Sequence, residues 1–141
     1  MLHVAVMVQR PYLSYVVLGR KTVEFRYTIN KIAPYLGVEK DDIIYFKPVG
    51  IKMVRYYATV ENVEFVTGHE KCVEMLRKYM NEACINENYI NSKPKGKYLS
   101  SIWLKDVKAE VKLPLFCYKQ DRRTWIRNVK IENGDISEIK C

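Results

Sequence analysis

Histidine is nearly missing from this chain: His3 and His69 are its two copies among 141 residues. Neither has a neighbour at zinc-ligand spacing, and catalysis by imidazole is poorly supplied. The four cysteines, Cys72, Cys84, Cys117 and Cys141, are scattered and form no C-x-x-C pair. They are read as free thiols in a reducing compartment, and no metal or cofactor is expected. A phosphate-cradling P-loop, a glycine-rich dinucleotide turn and a Ser-His-Asp order are all missing. No apolar run approaches the ~20 residues that span a bilayer. The first eight residues alternate like a strand and lack the layout of a signal peptide, so no membrane contact and a cytoplasmic location are expected.

Acidic residues are also in deficit, 16 against 24 Lys and Arg, which leaves a net charge of +8. The deficit is local. Residues 91–130 carry 11 basic and 3 acidic side chains. Such a field attracts polyanions and speeds their encounter, although lysine-rich surfaces also serve solubility alone.

What is present is ordinary globular composition, 48% hydrophobic and 28% charged, with no repeat and no linker. The chain is read as one domain over residues 1–141. Residues 2–9 are apolar on both alternating faces, as in a strand covered on both sides. A connection from 30 to 42 is long for a compact domain and is expected to rim a site. Strands are expected at 43–46 and 51–65, the second with a bulge near Asn62 where its alternation shifts. A helix from His69 and a second helical piece reaching about Ile90 follow. Lys93-Pro94-Lys95-Gly96-Lys97 is a basic turn. Strands at about 98–104 and 107–113 and a hairpin around Asn133-Gly134 complete the chain.

The densest chemistry lies in Gly19-Arg20-Lys21-Thr22-Val23-Glu24-Phe25-Arg26. Pro11 can open a short helix before it, and Gly19 supplies a left-handed stop. Val23 and Phe25 then alternate with Glu24 and Arg26, which places the two charged side chains on one strand face. Lys21 sits at the strand's mouth near the helix's carbonyl end. A lysine desolvated beside Arg20 and Arg26 would have a lowered pKa and could serve as a general base. The same three charges also suit a solvated face with a surface ion pair, so the residues alone leave both readings open.

Gly19, Lys21, Glu24 and Arg26 fit G-x-K-x-x-E-x-R, and the chain thereby resembles the ASCH (activating signal cointegrator homology) family of PUA-like barrels. The lead-in Gln9-Arg10-Pro11-Tyr12 is similar to the start of the family's first helix. The resemblance covers residues 4–26 well and is pattern-level beyond. It implies an α+β fold: a small PUA-like mixed β-barrel of five to seven strands, closed or nearly so, with two or three helices and a cleft between barrel and helix. It also implies RNA binding, of a single strand or of a nucleotide with a modified base. Arg10, Tyr12, Lys21, Glu24 and Arg26 would line the cleft. A bacterial branch with this motif hydrolyses N-acetylated cytidine through a threonine. Here Glu24 stands at that position and Thr22 lies one register earlier. A hydrolase of RNA or of an acylated nucleoside is the alternative, with Lys21 and Glu24 catalytic. A protein-interaction module in transcriptional regulation is a third class.

Two further clusters extend the basic surface. In Lys119-Gln120-Asp121-Arg122-Arg123-Thr124-Trp125-Ile126-Arg127, Arg122 and Arg123 suit phosphates. Trp125 suits either base stacking, worth ~1–3 kcal/mol, or the core. Lys47, with Lys52 and Arg55, flanks the turn at Pro48–Gly50.

Overall fold

The computed structural model describes residues 1–116, 123–127 and 129–138. Its first strand, β1 (Leu2–Met7), runs parallel to β3 (Ile43–Pro48) on one side and antiparallel to the short β6 (Trp125–Ile126) on the other. The apolar residues on both its faces are thereby accounted for. Val4 packs into one apolar cluster, while Ala5 and Met7 pack into another.

The sheet is built around β4 (Met53–Thr67) and β5 (Tyr98–Phe116), a long antiparallel pair. β2 (Val23–Thr28) lies on the other edge of β5, from Val23 opposite Trp103 to Thr28 opposite Tyr98. The order β6-β1-β3-β4-β5-β2 curls into a mixed half-barrel. A hairpin of β7 (Val129–Glu132) and β8 (Asp135–Glu138), turning at Asn133-Gly134, attaches in parallel to the far end of β5.

Bulges produce the curl, because an extra residue on one strand bends it and increases its twist. The β4–β5 register slips at three places, one of them between Val60 and Asn62 as the alternation predicts. The break expected near residue 105 is a second. Asp106 takes a left-handed φ of 52° and is skipped by the ladder, so the two strands expected there are one bent strand. Periodicity cannot separate a bulge from a turn, because both reset the alternation.

Helix α1 (Ser14–Val17) follows a kinked helical turn over Gln9–Leu13 and ends at Gly19, whose φ is 77°. Between β4 and β5, α2 (His69–Lys78), α3 (Met80–Ala83) and α4 (Glu87–Asn91) cover the outer face of β2. They bury Leu76, Ala83 and Ile90 against Val23, Phe25 and Leu99. Among the described residues the curled half-barrel has six strands, within the five to seven expected, with the β7–β8 hairpin attached beside it. There are four α-helices against the two or three expected, because one helical segment is broken twice. No helix among the described residues is long and apolar enough to cross a membrane.

Leu76 is fully buried in the helical cluster, so Leu76→Ala should lower unfolding free energy by about 2–5 kcal/mol in urea titration. Leu36→Ala, at an exposed position, should stay within about 0.5 kcal/mol of the parent.

Candidate functional site

Among the described residues β2 and β6 are the two edges of the half-barrel, and the seam between them is bridged by a side chain. From β2, Arg26 Nη2 donates to Val6 O on β1 at 3.2 Å, and Nη1 donates to Thr124 O beside β6 at 3.3 Å. Its guanidinium lies 5.3 Å from the centre of the Trp125 ring. Arg26 Nη2 also reaches Glu24 Oε2 at 3.0 Å, two residues back on the same strand face. Lys21 completes the group, with Nζ 3.4 Å from Glu24 Oε1. That ammonium also donates to Ala83 O at 2.6 Å, at the carbonyl end of α3, where Cys84 turns left-handed and stops the helix. A cation suits that partly negative end. Sequence reasoning placed Lys21 near the end of α1; the carbonyl it caps belongs to α3.

These groups form one wall of a cavity of about 260 Å3. Tyr12, Pro34, Ile85 and Tyr89 supply apolar and aromatic walls, and Lys93 a further cation. Each wall has a local cause. Asn86 caps α4 by accepting from the Tyr89 backbone N–H at 3.2 Å, which fixes the turn carrying Tyr89. The 30–42 connection is held by Tyr35, whose ring meets Phe65 and Tyr98 edge-on at 5.4 and 5.1 Å. It lends Ala33 and Pro34 to the rim, as its length suggested.

Lys21 and Glu24 are only 3% and 6% exposed, so they are a buried ion pair and not a solvated face. Burial alone would raise the Glu24 carboxyl, but the charges of Lys21 and Arg26 hold it below its ordinary value. Burial, and then the negative Glu24, push the Tyr89 phenol upward, keeping it a neutral O–H. Three cations against one carboxylate leave the described lining net positive.

Behind Trp125 stands a second polar line. Trp125 Nε1 donates to His3 Nδ1 at 3.2 Å, so the neutral ring carries its proton on Nε2 and gives it to Asp42 Oδ2 at 2.8 Å. Burial drives the His3 imidazole below its usual 6.5, against the pull of Asp42. Among the described residues no three His, Cys, Asp or Glu side chains gather as metal ligands would.

The sequence profile of the ASCH domain matches residues 6–133. The chain belongs to the ASCH domain family. Solved ASCH structures share its fold. An ASCH protein from Zymomonas mobilis is 20% identical, with 77% of this chain and 69% of that one covered and a TM-score of 0.58. A serine-to-alanine variant of the same protein gives 16% identity, coverage of 94% and 89%, and a TM-score of 0.68. No curated protein matches this chain.

Of the residues singled out in the sequence, Tyr12, Lys21, Glu24 and Arg26 meet at this ASCH cavity. Arg10 is exposed and lies off its lining. Lys47, expected on an open basic surface, is buried, donates to Pro48 O at 3.2 Å, and is held down in pKa by burial and then by Lys52. Trp125 is core: 4% exposed, its ring is covered by Arg26 and its N–H is spent on His3, so it cannot serve as a stacking platform. Arg123 is half-buried beside β6, away from the cavity lining, whereas Arg122 and residues 119–121 lie outside the described residues. Tyr89, Lys93 and Ile85 line the cavity without having been singled out. Sequence offered only a helical tail and a basic turn there.

Removing the carboxylate strands two cations in a buried site. Glu24→Gln is therefore expected to cost about 3–5 kcal/mol in urea unfolding. Double replacement of Lys21 and Arg26 by alanine likewise strands Glu24 and should lower the melting temperature, contrary to what a surface pair would give. His3 has a depressed folded-state pKa, so its contribution is complete above pH 6.5 and is lost as pH falls through that value toward the folded one. Glu24 follows from about pH 4.5 downward. The unfolding free energy should begin to drop below pH 6.5 and steepen below 4.5, and His3→Gln should remove the first phase.

Proposed function

We propose that this ASCH domain binds RNA and accommodates one unpaired or modified nucleotide in the seam cavity. The observation that carries the reading is the convergence of Lys21, Glu24 and Arg26 on a hollow with aromatic walls. A cavity of about 260 Å3 lies just below the ~300–1,000 Å3 typical of ligand sites, so the guest it suits is no larger than one nucleoside. Tyr12 and Tyr89 line the hollow, each with one ring face under a lysine ammonium (Lys21 at 5.8 Å and Lys93 at 5.6 Å), which leaves the opposite face of each for a base. Glu24 accepts hydrogen bonds and Arg26 donates them, so a base edge finds both kinds of partner. The basic surplus over residues 91–130 suits the phosphate backbone.

The hydrolase alternative draws on the buried Lys21–Glu24 contact, which is also an acid–base arrangement. Against it, Thr22 is exposed and off the cavity lining, so the position from which a threonine nucleophile would act is empty of one. The interaction-module reading calls for an apolar face where this domain has a charged cleft.

Fluorescence anisotropy with a labelled single-stranded RNA decamer tests the binding reading. Affinity should fall with salt by about 0.7 log units per tenfold salt for each phosphate contacted. Heparin should compete less well than unlabelled RNA. Failure to bind at low salt, or equal displacement by heparin, overturns the proposal. Turnover of labelled RNA or of acetylcytidine, lost in Glu24→Gln at a temperature where circular dichroism shows that variant folded, would install the alternative.

A further inference from the structure

The basic turn at residues 93–97 has no part in the site described so far except through Lys93, yet it is built with care. Lys93 Nζ donates to Tyr27 O at 3.2 Å, the Lys97 N–H donates to Thr28 O at 2.9 Å, and the Tyr27 hydroxyl donates to Gly96 O at 2.9 Å. Gly96 is pressed so closely onto the Tyr27 ring that a Cβ there would clash with its Cζ. The turn is thus clamped along the last residues of β2, immediately past the charged trio.

Between this turn and the start of the 30–42 connection lies a second hollow, of about 510 Å3. It is lined by Lys93, Pro94 and Lys95 on one side and by Ile29 and Ile32 on the other, and both isoleucines are more than half exposed. No acidic side chain among the described residues lines it. The two hollows share Tyr27, Thr28 and Lys93, so they are neighbours separated by one partition, and the Lys93 ammonium stands on it.

We propose that the second hollow holds the adjacent nucleotide of the same single strand, with Lys93 at the phosphate linking the two. The chemistry is complementary. An aliphatic and proline surface accepts the face of a base without reading its edge, and Lys95 answers a further phosphate. A basic partition between two neighbouring hollows matches a polymer with one negative charge per unit, where a free nucleoside would bring no anion to the Lys93 and Lys95 charges. The ligand class is therefore an oligonucleotide of two or more units. This inference rests on the first cavity being a nucleotide site.

The experiment is displacement of a labelled RNA decamer by unlabelled mixed-sequence mononucleotides, dinucleotides and tetranucleotides, for the parent and for Lys95→Ala combined with Ile32→Ser. In the parent, dinucleotides should compete roughly tenfold better than mononucleotides, a size in line with one stacked base and one added phosphate contact. In the variant that ratio should shrink to about two, with the melting temperature unchanged because both positions are exposed. Equal competition by mono- and dinucleotides in the parent overturns the inference and leaves the first site standing. An undiminished ratio in the variant also overturns it, placing the second nucleotide elsewhere. Absence of decamer binding removes the first reading and this one with it.

Discussion

Among the described residues, the Arg26 guanidinium bridges the two ends of this sheet. The curl of β1 to β5 brings β2 and β6 near one another, but the seam is crossed by Arg26 donating to Val6 O and Thr124 O. A planar fork with five donors is suited to this task in a way that a lysine is not, since it serves two carbonyls, one carboxylate and one indole face together. The position of Glu24, and through it of Lys21, follows from where Arg26 must sit. What looks in isolation like a set of ligand-binding charges is first of all a bridge across the seam of the half-barrel.

That double duty explains the low exposure of the trio. Charges taken out of water are tolerated when each finds a partner, and here the carboxylate has two cations while the cations also rest on backbone carbonyls. A cluster so satisfied is held in place by its own partners, and a guest would meet it already ordered. His3 and Asp42 extend the same rigidity behind Trp125, holding the ring against which Arg26 lies.

Much of this was legible in the chain. The helix, glycine stop and strand around Gly19 to Arg26 are dictated by local rules, and local rules sufficed to put Glu24 and Arg26 on one face. The double apolar pattern of β1 likewise named a strand covered on both sides. Sequence failed where long-range packing decides. Tyr89 reaches the cavity because α4 is folded back over β2, which no periodicity within residues 87–91 records. Trp125 carries the composition of a stacking platform and the location of a core residue, and its pairing with Ala5 across 120 positions chooses between them. Lys47 belongs beside a turn by composition and inside by tertiary structure. The bend at Asp106 imitates a strand end because a skipped residue and a chain reversal interrupt alternation alike.

The distance along the chain between the two halves of the seam has a bearing on synthesis. One wall of the hollow is encoded at residues 21–26 and another at Thr124, so about a hundred further residues must leave the ribosome after the first before the hollow exists. Until then β2 has an open edge and an arginine without its carbonyls, and β5, the partner of β2, is itself made late. Assembly must wait for contacts far apart in the chain, the kind that form slowly. A nascent chain therefore carries the charged trio before it carries the hollow, and the full lining emerges only with the finished half-barrel.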